Sequence, residues 1–257
     1  MEQLFRTIET EIIPRLMLAH TPQRACPSVP EVDGTGPGVE TVHEFTRLVV
    51  EQDGEVAAAY VEALRAQGTP LEAIYLKLIT PTAHRLGELW EADLCDFTEV
   101  TVGLWRLQQV LRGLSAAFRD EQPQASTGRR ILLVPSPGEQ HILGLIIVGD
   151  YFRREGWDVW GEPPATSDDL PDIVRHEWFD VVGLSVGCEV HVDKLAAEIR
   201  AIRHASCNQD VAIMVGGPLF IKYPELVAQV GADASARDGR EAVQQAASLT
   251  EPGARRI

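Results

Sequence analysis

The chain lacks any apolar run approaching the roughly 18 residues of a membrane-spanning helix, although 45% of its 257 residues are hydrophobic. It is short of cysteine too. Cys26, Cys95, Cys188 and Cys207 stand far apart, without the short paired spacing of a zinc site or a disulfide framework, so reduced thiols are expected. Positive charge is scarce: 23 Lys and Arg face 38 Asp and Glu, for a net charge of −15. The deficit is shared, with 10 basic against 19 acidic side chains in residues 1–125 and 13 against 19 thereafter. An acidic surface repels phosphate backbones, so neither half is suited to grip DNA alone, and a protein or small-molecule partner is expected. Met1-Glu-Gln-Leu-Phe-Arg6 has no basic-then-apolar export pattern, and a cytoplasmic protein is expected. No nucleophile, general base or phosphate loop stands at a specific spacing, so no enzymatic turnover is expected.

What is present falls into two patterns. Residues 1–20 read as a helix interrupted by Pro14, and 21–40 as a Pro/Gly linker containing Pro22, Pro27, Pro30, Pro37, Gly34, Gly36 and Gly38. From 41 to 120 apolar residues recur at helical spacing, giving four helices. One covers Phe45–Val49 and one Ala57–Leu64. A third is opened by Thr69 as N-cap before Pro70 and continues past Pro81 to Trp90, and a fourth spans Phe97–Phe118. Together they predict a helical bundle cap. Residues 121–129 form a polar linker. From 130 to 250 the pattern becomes strand–helix alternation, with strands at Ile131–Val134, Trp157–Val159, Val181–Ser185, Ala212–Val215 and Ala232–Ala236. Helices are expected at 142–155, 168–177, 190–204, 222–229 and 238–249. The fold class is α/β: a helical cap followed by a Rossmann-like, flavodoxin-like parallel sheet.

Three loops follow three of these strands: Pro135–Gly144, Ser185-Val-Gly187 and Gly216-Gly217-Pro218. All lie at the carboxyl edge of the predicted sheet, where open α/β sheets bind ligands. His141, with Glu139 two residues before it and Gly144 three after, reads as a metal ligand on a ligand-binding loop. The other histidines (His20, His43, His176, His191 and His204) read as solvated surface residues, as does His84, although His84 shares a predicted helix with Trp90. Cys188 reads as a buried structural cysteine.

The three loops resemble the cobalamin-binding domain shared by methionine synthase, corrinoid methyltransferases and cobalamin photoreceptors. That pattern is Asp-x-His-x-x-Gly, then Ser-x-Leu, then Gly-Gly. Here it stands as Glu139-x-His141-x-x-Gly144, Ser185-Val-Gly187 and Gly216-Gly217, with 40 residues between Gly144 and Ser185 and 28 between Gly187 and Gly216. The resemblance implies base-off binding. His141 would ligate the lower face of cobalt, and Glu139 would orient its ring. Gly144, Gly216 and Gly217 would admit the nucleotide tail, and Ser185 would hydrogen-bond it. Two positions depart from the pattern. Glu139 replaces Asp, so a longer side chain must fold back to the imidazole, and Gly187 replaces Leu, which removes a wall contact.

In the helical half, Leu86-Gly-Glu-Leu-Trp90 followed by Phe97-Thr-Glu99-Val100 resembles the cap of light-sensing cobalamin regulators. There a tryptophan and a glutamate cover the cofactor's upper face, so Trp90 and Glu99 become the candidates here. Those regulators carry a histidine directly after the tryptophan, whereas this chain has Glu91. They also begin with a helix-turn-helix, for which residues 1–40 show no pattern. A short leader, helical cap and cobalamin domain together resemble the AerR/PpaA antirepressors of purple photosynthetic bacteria, over roughly residues 80–245. The resemblance implies adenosylcobalamin or hydroxocobalamin as cofactor, a CrtJ/PpsR-type transcriptional repressor as partner, and a light-responsive switch. Two alternatives share the domain: a corrinoid methyl carrier of a methyltransferase system, and a haem-binding redox sensor with His141 as axial ligand.

Overall fold

A computed structural model describes residues 36–121, 124–136, 142–161, 170–187 and 192–251. The expected leader helix, Glu139, His141, Cys188 and His191 lie outside these residues. The chain divides into two compact units, the first ending at Ala116 and the second beginning at Ala117.

The first unit holds α1 (Val39–Glu51), α2 (Gly54–Ala66), α3 (Leu71–Ile74), a π-helical stretch (Tyr75–Ile79), α4 (Thr80–Glu91) and most of α5 (Phe97–Asp120). Their buried faces carry Phe45, Val49, Tyr60, Leu64, Ile74, Leu78, Leu86, Leu107 and Leu111, the apolar positions of the helical pattern. Phe45 stacks on Tyr60 with ring centroids 5.5 Å apart, and the Tyr60 hydroxyl donates to Glu44 at 3.2 Å. Burial, with the Glu44 carboxylate beside it, pushes the Tyr60 phenol far above its ordinary pKa and keeps it neutral. The α1–α2 junction is closed twice. Asp53 caps α2 by accepting the Val56 N–H at 3.0 Å, and buried Arg106 donates to the carbonyls of Val49 and Val50, each at 2.7 Å. Arg106 thus holds α5 against the end of α1.

Two details differ from the sequence expectation. Thr69 does not cap the third helix: its N–H goes back to the Leu64 carbonyl at 3.1 Å, and Pro70 occupies the cap position with ψ 144° and no side-chain cap bond. A residue before proline is pushed out of the helical region, which leaves Thr69 with the end of α2. The helix does continue past Pro81, but through a widened turn. Proline cannot donate, and its ring crowds the carbonyl one turn back. Just before it, the Thr80 N–H reaches the Tyr75 carbonyl five residues earlier, and the Thr80 hydroxyl donates to the same oxygen at 2.9 Å.

The second unit is built on five parallel strands in the order β2-β1-β3-β4-β5: β1 Arg130–Pro135, β2 Asp158–Trp160, β3 Val181–Ser185, β4 Ala212–Gly216 and β5 Ala234–Ala236. Its helices are α6 (Leu143–Arg154), α7 (Leu170–His176), α8 (Val192–Ala205), α9 (Pro218–Lys222), α10 (Leu226–Val230) and α11 (Gly239–Leu249). The helix expected over 222–229 starts only at Leu226, because Tyr223 stands extended (φ −132°, ψ 75°) before Pro224, and the short α9 before it was not expected. Alternate residues of each strand feed opposite cores. Ile131, Leu133, Val181, Ala212 and Met214 pack with α6 and α11, while Leu132, Val134, Val182, Leu184, Ile213 and Val215 pack with α7, α8 and α10. The last turn of α5 belongs to this unit: Phe118 meets Tyr151 edge-on at 5.0 Å and lies 4.5 Å beneath the Arg154 guanidinium.

Candidate functional site

The strand order places a topological switch point between β1 and β3. The chain leaving β1 turns to the face that carries α6, and the chain leaving β3 turns to the opposite face that carries α8. Two connections departing in opposite directions open a crevice at the carboxyl edge, and that is where this class of sheet receives its ligand.

The register aligns one residue from each of four strands at that edge. Pro135 pairs with Ser185, Ser185 with Gly216, and Gly216 with Ala236. By strand alternation all four stand on the α6/α11 face. Two residues further in on the same face, Leu133 and Met214 are buried in the core; at the edge row the residues are only partly buried, and three of the four are Ser, Gly and Ala. The row is a shelf from which bulk has been withdrawn. Ser185 and Gly216, both expected at the site, are therefore neighbours in one register line. Gly187 lies two residues past Ser185, partly buried at the same edge.

Beyond the row the two central loops are pinned together. The Ser136 N–H donates to the Ser185 carbonyl and the Val186 N–H to the Gly216 carbonyl, both at 2.9 Å. Gly217 turns the chain at φ +119°, ψ 170°, a region open only to glycine. A Cβ there would stand 1.9 Å from the Val186 carbonyl oxygen. Glycine at 217 is required for β3 and β4 to close the floor of the crevice.

Gly144 is different. It lies in the first turn of α6, and a Cβ added to it would meet nothing within 4 Å. Nothing among the described residues asks for a glycine at a helix position where alanine is favoured. Ser136, on the opposite face of β1, is buried, yet its Oγ finds no partner among the described residues. An orphaned buried hydroxyl beside a row of small residues at the switch point suits a polar ligand group, and these residues fit a corrinoid's nucleotide tail. The sequence pattern did not single out Ser136, since serine after a strand carries no motif of its own. Gly144→Ala is expected to stabilise the cofactor-free protein by up to about 1 kcal/mol. The same change should weaken corrinoid binding about tenfold by filling the ligand's space. Thermal melts and a visible-light titration of the same variant check both signs.

Trp90 and Glu99 lie in the first unit, at the α4–α5 turn. Trp90, Leu94 and Phe97 are exposed there at 55%, 69% and 74%. Three large apolar side chains left open within eight residues mark a contact surface rather than a core. The turn itself is fixed at both ends. At the end of α4, Asp93 takes the left-handed conformation (φ 55°), its N–H donates to the Trp90 carbonyl at 3.0 Å, and the Leu94 N–H donates to the Leu89 carbonyl at 2.8 Å. At the start of α5 the Glu99 N–H donates to Asp96 Oδ1, and the Asp96 N–H donates to Glu99 Oε2, both at 2.8 Å. Glu99 therefore places one carboxylate oxygen on the backbone of its own helix start. The Asp96-x-x-Glu99 spacing is legible in the sequence as a capping box.

Cys95 sits inside this turn, lining a groove with His43, Arg47, Arg85 and Leu89. Partial burial, then the carboxylates of Glu99 and Asp96, hold its thiol above the usual range. A thiol with a raised pKa forms its reactive thiolate only at higher pH. Alkylation of Cys95 should accordingly follow a pH profile displaced to the alkaline side of free cysteine, and Glu99→Gln should move it back. A profile indifferent to Glu99 would remove the electrostatic account. His84 is exposed on α4.

Each half of the chain matches a domain description of the same name. A B12 binding domain matches residues 129–247, and a second B12 binding domain description matches residues 41–114. Each half of the chain thus carries a region similar to a B12 binding domain. The sheet-edge candidates fall within the first match, and the Trp90–Glu99 turn within the second. The chain is 28% identical over 177 residues to the uncharacterized 20.5 kDa protein of the bchF–crtJ intergenic region of Rhodobacter capsulatus, covering 69% of this chain and 92% of that one. The relative is consistent with the resemblance to the AerR/PpaA antirepressors. Among solved structures, the monomethylamine corrinoid protein of Methanosarcina barkeri aligns with a TM-score of 0.65 at 14% identity, covering 80% of this chain and 95% of that one. This likeness establishes the fold: a helical region followed by a Rossmann-like parallel sheet. No helix among the described residues is long and apolar enough to cross a membrane.

Proposed function

We propose that the protein binds a cobalamin and acts as a light-responsive antirepressor, engaging a CrtJ/PpsR-type repressor rather than DNA or a turnover substrate. The observation that carries this reading is the pairing of two B12-domain matches with a relative encoded between bchF and crtJ. In this reading His141 supplies the lower cobalt ligand and Glu139 orients its imidazole. Ser185, Gly187, Gly216 and Gly217 line the tail slot with Gly144 at its mouth, and Trp90 covers the upper face. Glu99 enters through the turn it braces. The cofactor supplies a photolabile cobalt–carbon bond. The chain's part is to make the contacts of Trp90 depend on the upper ligand, because a ligand shifts a conformational equilibrium only by its differential interaction with the two states. The net charge of −15 supports a protein partner over DNA, and a cytoplasmic location follows from the same reading.

The test is direct. Purified protein is mixed with adenosylcobalamin in the dark and then illuminated, with absorption recorded alongside capture of a CrtJ/PpsR-type repressor. A base-off, histidine-ligated spectrum that changes irreversibly with light, together with repressor capture that differs between the two states, is expected. Trp90→Ala should abolish that difference. Capture equal in dark and light would remove the antirepressor switch and leave a methyl carrier. No corrinoid uptake, with a haem band instead, would replace cobalamin altogether.

A further inference from the structure

We infer that Asp96 and Glu99 act as one positioning unit that fixes the turn displaying Trp90, Leu94 and Phe97, so that Glu99 serves the cofactor through Asp96 and not by touching it. The role in cofactor binding rests on the cobalamin reading above; the coupling of the two residues does not. Three observations carry the inference. The first is reciprocity: two hydrogen bonds of 2.8 Å run in opposite directions between the backbone N–H of each residue and the carboxylate of the other. A carboxylate held this way satisfies an N–H that the helix start leaves open, and it is tied to its own backbone. The second is the sequence of constraints. The left-handed Asp93 ends α4 and the Asp96–Glu99 box begins α5, which leaves only Leu94 and Cys95 between the two devices. The amides of Leu94 and Cys95 both return to the Leu89 carbonyl, at 2.8 and 3.3 Å, so the connecting residues are themselves tethered to α4. The third is what the turn presents. Its apolar side chains are more than half exposed, so packing against them does not hold the backbone in place, and the caps must.

Each alanine variant removes one of the two bonds, and because both hold the same turn, losing one loosens the backbone on which the other depends, so the effects are less than additive. The experiment is a double-mutant cycle with conservative controls: Asp96→Ala, Glu99→Ala, the double variant, Asp96→Asn and Glu99→Gln. In the cofactor-free full-length protein, hydrogen exchange is followed at the amides of Leu94, Cys95, Asp96 and Glu99. Each alanine variant should speed exchange there about tenfold, the double variant by clearly less than the product of the two, and the Asn and Gln variants should stay near the parent. In protein loaded with adenosylcobalamin in the dark, the two alanine variants should speed cofactor release by a common factor, and the conservative variants should restore the parent rate. Two outcomes overturn the inference. Additive exchange effects would show that the residues do not work as a pair. Glu99→Gln releasing cofactor as fast as Glu99→Ala, while Asp96→Ala leaves release unchanged, would put the Glu99 carboxylate on the ligand itself. If the parent takes up no corrinoid, the cobalamin reading falls, and the exchange cycle still decides whether the pair fixes the turn.

Discussion

Gly217→Ala is expected to destabilise the α/β unit by at least about 3 kcal/mol, from combined backbone strain and overlap. At φ +119° and ψ 170° the residue occupies a region essentially reserved for glycine, and the new methyl carbon would fall 1.9 Å from the Val186 oxygen. Neither neighbour can yield cheaply. Val186 is buried in the core shared with α8 and its own N–H is bonded to the Gly216 carbonyl, so moving the oxygen breaks the last rung between β3 and β4. The damage should be visible without any cofactor, as a fall in the urea midpoint and in melting temperature. Gly216→Ala should behave differently. The closest atom to its added Cβ is the Ala236 carbonyl oxygen at 3.9 Å, an ordinary contact, so stability should hold while the ligand shelf is raised. A Gly217→Ala protein as stable as the parent would mean that the two loops do not close on each other as described.

His141→Ala should lower corrinoid affinity by more than about 100-fold, since losing a group one step out from a metal typically costs 10–100-fold and this residue is the proposed ligand itself. The cofactor-free fold should survive, because the strand pairing that builds the site runs through Pro135, Ser185 and Gly216 and not through the histidine. The two glycine and histidine variants therefore separate architecture from chemistry: one loses the fold first, the other only the ligand. Added imidazole should partly restore the visible spectrum of His141→Ala by occupying the vacated coordination position. Glu139→Gln should fall between the two, with the ligand retained and its orientation weakened. Undiminished binding by His141→Ala would move the lower ligand to another residue.

Much of this arrangement was readable in the chain. Strands β1, β3 and β4 are short aliphatic runs, Ile131–Val134, Val181–Leu184 and Ala212–Val215, each followed by small or turn-forming residues, and a strand buried on both faces leaves just that trace. The shelf was legible because its members sit at loop starts whose mutual distances match a known pattern. What escaped were features set by hydrogen-bond partners. Thr69 looked like a cap but is held by the Leu64 carbonyl; Pro224 holds off the start of an apparent helix until Leu226. Glu99 was singled out for the upper face from its place beside a tryptophan, although its spacing from Asp96 also spells a helix start. Arg106 sits at the carbonyls of Val49 and Val50, contacts 57 and 56 residues apart that no local pattern reveals.

The π-helical stretch Tyr75–Ile79 lies between the core-anchored start of the third helix and the turn that carries Trp90. A helix advances about 100° per residue, so a turn that closes five residues apart instead of four retards everything after it by roughly that angle. Trp90 thus has a phase as well as a position, and the phase is counted in residues upstream. An ordinary turn formed at constant chain length would swing the tryptophan by about 100° to a different side of the helix, whereas deleting one residue within 75–79 would let that turn form and leave the tryptophan facing as it does now. The direction in which this protein presents its aromatic contact is set fifteen residues before the contact, by how the chain closes its turn ahead of Pro81.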